Sequence, residues 1–186
     1  TLLNRKNIES LGNRVRISDS NESGLELFCY VRCNPEDKGI IKQCRGIVFN
    51  KDDIVMRAFP YTIELSHDDD DKIKKYINDD FQKYSFYESH EGTLIRMFYF
   101  KDKWYTSTHR KLDAFHSKWA SKESFGEIFL KCLEYQYKNN KKFKDSIPEG
   151  DNSLVDKFQN ILDKKNQYMF LLMNSKENRI VCEAKD

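Results

Sequence analysis

The stretch TLIRMFYFKDKWYTST, residues 93–108, decides the fold of this chain. Residues 93–100 and 104–108 are rich in β-branched and aromatic side chains, which favour extended strands. The polar segment 101–103 separates them and is typical of a tight turn. The pattern therefore predicts a long β-hairpin.

The segments on either side of this hairpin predict helices and further strands. Apolar residues at a helical period predict a helix over 70–81, and a capping box formed by Ser124 and Glu127 predicts the start of a second helix. A third helix is expected to begin at Ser153, after the polar, lysine-rich segment 139–152, which predicts an exposed loop. Further strands are predicted at residues 25–31, 44–49, 54–59, 168–173 and 179–182. The expected fold class is α+β, with mostly antiparallel sheets flanked by helices.

Length and composition indicate one folded domain. The chain has 186 residues, of which 13% are aromatic and 33% charged, a mixture that can bury a core and is not typical of disorder. The formal net charge is only +2, so it neither favours nor excludes a polyanionic partner. Basic residues are dense over 96–122 and 138–144, and residues 68–71 are all aspartate. Such runs are typical either of solvated faces or of a nucleic-acid surface, and both interpretations stay open here.

The cysteines indicate a reducing compartment. There are five, irregularly spaced, which does not match a disulfide framework, so a reducing compartment is expected. Cys29, Cys33 and Cys44 lack the further cysteine or histidine ligands that zinc requires, so no metal site is predicted. No apolar segment could span a bilayer, and no membrane partner is expected. The chain begins at Thr1 without a methionine and ends in the charged run 183–186, which suggests a fragment of a longer protein.

Five segments carry a more specific pattern. They read CRGIVF at 44–49, RAFPY at 57–61, ESHEGTLIR at 88–96, WYTSTHRKL at 104–112 and LLMNSKENRIV at 171–181. In order and spacing they resemble the motifs of phage-type RNA ligases, a family of the covalent nucleotidyltransferase superfamily. The resemblance implies a single nucleotidyltransferase domain over residues 1–186 with an ATP-grasp-like ligase fold. Because the family's later motifs would follow residue 181, it also implies truncation at the C-terminal side.

Two positions depart from the family's motifs. The family's lysine attacks the α-phosphate of ATP, and this sequence has Ser89 there, whose hydroxyl is far less nucleophilic and would need its own base. The family's nucleotide-contacting glutamate falls at Leu172, which cannot accept a hydrogen bond. We therefore expect no covalent nucleotide intermediate and no catalytic residue.

The resemblance implies that the remaining pocket binds a nucleotide or an RNA 5′ end, a capped end included, without catalysis. The basic groups suit phosphate, with arginine as a fork and lysine as a point charge. The residues expected at this site are Arg45, Arg57, Phe59, Ser89, Glu91, Gly92, Arg96, His109, Arg110, Lys111 and Leu172. No cofactor is required by this interpretation.

Two other functions stay open from the sequence. The chain could be an ATP-dependent RNA ligase with a displaced nucleophile, for which Lys111 is the nearest lysine to the motifs. ATP or GTP and Mg²⁺ would then be its cofactors. It could instead be a structural scaffold that contacts other protein subunits. Because the family is widespread in large DNA viruses and phages, the resemblance also implies a viral protein, in the cytoplasm or in a viral factory.

Overall fold

The hairpin predicted at residues 93–108 is present in the structure. Its strands are Thr93–Phe100 and Lys103–Ser107, and the residues between them, Lys101 and Asp102, have φ angles of 46° and 60°. Positive φ at both turn positions matches the right-handed twist of antiparallel strands. The structure is a computed structural model that describes residues 2–77, 81–87, 90, 92–118 and 122–173.

The described residues form two antiparallel sheets and several helices, which confirms the α+β class. The strands are β1 Val15–Ser20, β2 Leu25–Tyr30, β3 Arg45–Asn50, β4 Asp53–Met56, β5 Thr93–Phe100, β6 Lys103–Ser107 and β7 Tyr168–Leu172. The α-helices are α1 Arg5–Glu9, α2 Gly39–Gln43, α3 Asp70–Ile77, α4 Phe125–Asn139, α5 Lys141–Ser146 and α6 Leu154–Asn160. Short 3₁₀ turns occur at Gly12–Arg14, Phe81–Lys83 and Ala114–His116. Within the described ranges no helix is both long and apolar enough to cross a bilayer.

The prediction of a loop over 139–152 is wrong in part, because α5 lies within it. The side chain of Asn140 accepts a hydrogen bond from the backbone N–H of Phe143 at 3.0 Å and caps the helix. The ring of Phe143 packs on the helix-side core, against Phe158 at 6.0 Å between ring centroids. A local cap and one buried ring therefore order a segment whose composition is that of a loop.

The predicted C-terminal ends of one strand and one helix also differ from those in the structure. β4 ends at Met56, because the N–H of Arg57 donates to the Gln167 side chain at 3.1 Å instead of continuing the strand ladder. α3 is described over Asp70–Ile77, and Phe81, predicted as its last residue, begins a 3₁₀ turn instead. The strand predicted at 179–182 lies outside the described residues.

The two sheets pack face to face. Their strand orders are β1-β2-β3-β4 and β6-β5-β7. A buried apolar cluster lies between them, to which the first sheet contributes Leu27 and Val48 and the second contributes Phe98 and Tyr105. The rings of Phe98 and Tyr105 are stacked, with centroids 5.1 Å apart.

Each sheet has a second core on its outer face, because side chains alternate along a strand. Ile47 and Phe49 of β3 pack against α1 and α2, on the side opposite to Val48. Ile95 and Met97 of β5 pack beneath α4 and α6, on the side opposite to Phe98. The layers are therefore α1 and α2, the first sheet, the second sheet, and α4 to α6.

Candidate functional site

A row of polar side chains crosses the first sheet at one end. In the strand registers Arg16 of β1 lies opposite Cys29 of β2, and Cys29 lies opposite Arg45 of β3. Directly opposed residues share a face of an antiparallel sheet, so both guanidinium groups flank the thiol. The Cys29 Sγ lies 3.5 Å from the carbonyl oxygen of His109, and the row therefore faces the chain that leaves β6.

That chain forms a tight turn over residues 108–111. The Thr108 hydroxyl oxygen accepts hydrogen bonds from the N–H groups of Arg110 and Lys111, at 3.3 and 3.1 Å. The Ser18 hydroxyl donates to the Arg110 carbonyl at 3.0 Å and thereby fixes the turn to β1. The turn presents His109 and Arg110 to the row of residues on the first sheet.

Gly46 allows the turn to approach the first sheet. Its φ is +90°, a conformation that residues with a side chain rarely adopt. A Cβ at this position would lie 2.5 Å from the carbonyl oxygen of His109. The backbones of β3 and of the turn therefore meet here only because residue 46 is glycine.

Arg96 of β5 is enclosed between the sheets and is 0% exposed. One guanidinium nitrogen donates to the carbonyl of Gly46, and another donates to the carbonyl of Thr108 at 2.6 Å. Its Nε finds no hydrogen-bond partner among the described residues. Burial lowers the pKa of Arg96 to about 10, so the group stays charged at neutral pH. Arg96 thus joins the two sheets and adds a positive charge beneath the turn.

We call Arg16, Arg45, Arg96 and Arg110 the arginine cluster. Burial, together with the charges of Arg45, Arg110 and Arg96, lowers the pKa of His109 to about 4. The His109 imidazole is therefore neutral at pH 7. Burial raises the pKa of the Cys29 thiol, and the four arginines of the cluster oppose that rise. The histidine and the cysteine both respond to a concentration of positive charge.

This charge is not neutralised within the described part of the chain. The guanidinium groups of Arg16, Arg45 and Arg110 form no ion pair with any described carboxylate. The nearby Asp19 is already engaged: it accepts the N–H of Leu112 at 2.8 Å and lies 3.7 Å from the ammonium of Lys111. An anion of more than one charge would match this end of the inter-sheet space.

The structure brings some of the predicted site residues together and separates others. Arg45, Arg96, His109 and Arg110 meet at the arginine cluster, and Lys111 lies on the same turn but pairs with Asp19.

Four predicted residues lie elsewhere, and two are not described. Arg57 and Phe59 follow β4, and the Phe59 side chain is 55% exposed. Leu172 packs with Ile95 beneath the helices, so it does not face the cluster. Gly92 lies against β7, where a Cβ would approach the carbonyl oxygen of Leu172 to 2.2 Å. Ser89 and Glu91 lie outside the described residues.

Sequence reasoning missed Arg16 and Cys29. Neither residue belongs to a motif, and β1 was not predicted. Their place beside Arg45 follows from the pairing of three strands, which no local sequence pattern reveals.

Comparison with known proteins finds viral relatives. No protein-family model matches the chain. No solved structure matches it. The chain is 39% identical over 171 residues to the immediate-early protein ICP-46 homolog of Invertebrate iridescent virus 6, a match that covers 88% of this chain and 35% of that protein. It is 35% identical over 171 residues to the homolog of Invertebrate iridescent virus 3, covering 88% and 34%. Its identity to ICP-46 of Frog virus 3 is 27% over 155 residues, covering 82% and 37%.

These relatives are viral proteins. They agree with the viral setting that the resemblance to RNA ligases implied. The chain spans about a third of their length. Their names specify no ligand or reaction, so the resemblance to RNA ligases stays a prediction.

Proposed function

We propose that this chain is a non-catalytic, RNA-ligase-like module that binds a nucleotide or an RNA 5′ end through its phosphates. The observation that carries the proposal is the arginine cluster, whose charges have no carboxylate partner among the described residues. Arginine presents a planar fork of donors that matches the oxygens of a phosphate. An accumulation of such forks around one turn suits the adjacent phosphates of a nucleoside triphosphate or an RNA 5′ end.

The arginines of the cluster differ in exposure and therefore in the role that we propose for each. Arg96 is enclosed and donates hydrogen bonds to two backbone carbonyls. It therefore holds the turn in place and adds a positive electrostatic potential to the site, without contacting the ligand. Arg16 and Arg110 are exposed and Arg45 is partly exposed, so these three can contact phosphate oxygens directly. The neutral imidazole of His109 can supply one N–H donor.

The test is equilibrium binding of two short RNAs that differ only at the 5′ end. One carries a 5′-triphosphate and the other a 5′-hydroxyl, and fluorescence anisotropy measures both at several salt concentrations. We expect the triphosphate to bind at least about tenfold more tightly, because it can form several charge-assisted hydrogen bonds. The preference should weaken as salt rises. Equal affinity for the two ends would refute the proposal.

Arg110→Gln tests whether the cluster is responsible. The variant removes one exposed guanidinium group and should lower the affinity for the triphosphate end by about tenfold. Lys142→Gln is the matched control, since Lys142 is an exposed basic residue on α5 and forms no ion pair within the described ranges. An equal loss in both variants would indicate non-specific attraction and contradict the assignment.

A covalent adduct assay separates binding from catalysis. The protein is incubated with labelled ATP or GTP and Mg²⁺ or Mn²⁺, then denatured on a gel. We expect no retained label, because residue 89 is serine. A label abolished by Lys111→Ala would instead support the ligase with a displaced nucleophile. If the protein neither retains the label nor binds the RNAs, the result would favour a structural scaffold.

A further inference from the structure

A cleft of about 550 Å³ lies beside the arginine cluster, between β6 and α6. Four consecutive residues of β6, Lys103 to Thr106, form one wall, and α6 contributes Val155, Asp156 and Gln159 to the opposite wall. A buried hydrogen bond of 3.0 Å from the Gln159 amide to the Thr106 hydroxyl joins the two walls at the bottom of the cleft. The volume is within the range of about 300–1,000 Å³ that suits a small organic ligand.

The lining of this cleft is acidic, in contrast to the adjacent cluster. It contains the carboxylates of Asp19, Asp113 and Asp156 and the ammonium of Lys103. Asp19 lies 3.7 Å from the ammonium of Lys111, and Asp113 lies 2.9 Å from the His116 ring. Asp156 accepts a hydrogen bond from the Ser153 hydroxyl at 2.6 Å but has no cationic partner in the described part of the chain. The cleft therefore favours a ligand group that carries positive charge and donates hydrogen bonds.

Aromatic rings complete the lining. Phe115 is 38% exposed, and the other side of its ring covers Gly126, where a Cβ would come within 2.4 Å of the ring. The ammonium of Lys103 lies 5.4 Å from the centroid of the Tyr105 ring, so a cation already rests on an aromatic face at this cleft. The buried indole Nε1 of Trp104 finds no hydrogen-bond partner among the described residues. A flat, cationic ring system would meet both the Asp156 carboxylate and the exposed face of the Phe115 ring.

The cleft and the arginine cluster share one segment of chain. Arg110 belongs to the cluster, and Asp113, three residues later, lines the cleft. Their Cα atoms are therefore at most about 11 Å apart. Asp19 lines the cleft and also pairs with Lys111 of the turn. A ligand with a positively charged base next to a chain of phosphates would complement both surfaces.

We propose that the cleft binds the N7-methylated guanine of a capped RNA 5′ end, with its triphosphate bridge directed to the arginine cluster. Methylation at N7 gives guanine a delocalised positive charge, and its ring N–H and exocyclic amine are donors for the Asp156 carboxylate. Unmethylated guanine offers the same donors without the charge. The cleft thus selects the methylated base. This inference rests on the proposed phosphate site and adds the identity of the base.

The test compares N7-methyl-GTP with GTP by isothermal titration calorimetry. Both ligands carry the same triphosphate, so the arginine cluster contributes equally to each. We expect the methylated nucleotide to bind about tenfold more tightly, because only its ring carries the positive charge that the Phe115 face and the Asp156 carboxylate attract. Equal, saturable binding of the two would refute the inference and leave the proposed function standing. Binding of neither would refute both.

Two substitutions locate the selectivity. Asp156→Asn removes the charge with little change of shape, and Phe115→Leu removes the exposed ring. Each should weaken N7-methyl-GTP binding more than GTP binding, and so bring the ratio of the two affinities close to one. Asp145→Asn is the matched control, an exposed carboxylate on α5 away from the cleft, and should keep the ratio. A preference for the methylated nucleotide that survives both substitutions would show that the base binds elsewhere and overturn the inference.

Discussion

Lowering the pH from 7 to 4.5 is expected to destabilise the folded chain through His109. Its pKa falls from the ordinary 6.5 to about 4 in the folded state, with burial as the main cause. Between these values the unfolded chain binds a proton that the folded chain does not, so stability present above pH 6.5 is lost as the pH falls towards 4. At pH 4.5 the loss from this one group is about 2 kcal/mol, because solvent partly screens the imidazole.

Urea unfolding at a series of pH values measures this contribution in wild type and in His109→Gln. The variant cannot take up the proton, so its free energy of unfolding should fall less steeply between pH 6.5 and 4.5. Carboxylates with lowered pKa values, such as Glu127, also lose their contribution in acid, but they do so equally in both proteins. His67→Gln, with a side chain 91% exposed, is the control and should follow wild type. Parallel curves for wild type and His109→Gln would refute the reasoning.

Three further substitutions test the framework of the site by thermal or urea unfolding. Gly46→Ala should destabilise the chain by about 2–4 kcal/mol, because it combines a strained φ of +90° with a Cβ 2.5 Å from the carbonyl oxygen of His109. A loss of stability below about 1 kcal/mol would contradict this close approach. Arg96→Met should cost about 2–5 kcal/mol, because the buried carbonyls of Gly46 and Thr108 lose their donors, and a neutral effect would show that the arginine does not join the sheets. Ser124→Ala should cost about 1 kcal/mol by removing the capping box of α4, and unchanged stability would indicate that the helix is held by packing alone.

The elements that the sequence predicted well are those specified by neighbouring residues. The β5–β6 hairpin follows from its aromatic strands and its turn, and the start of α4 follows from the capping box at Ser124. Both signals act within a few residues, so they depend little on contacts with distant parts of the chain. The antiparallel α+β class follows from the same local patterns.

The elements that were missed depend on contacts between distant parts of the chain. β1 carries the polar sequence VRISDS, and it is a strand because it pairs with β2. α2 is only five residues long and is held by Ile40 and Ile41, which pack against the first sheet. Weak local propensity is overridden here by burial and by strand pairing, which a single sequence does not display.

For the candidate site, the sequence by itself determined which chemical groups are present. It supplied Arg45, Arg96 and Arg110, together with His109 and with Gly46, which permits the close approach of two backbones. Only the tertiary structure decided that Arg16 stands beside Cys29, that Leu172 belongs to the helix-side core, and that an acidic cleft adjoins the cluster. The physical reason is that strand register and sheet packing are set by the burial of apolar faces, which brings together charged residues that no local pattern connects.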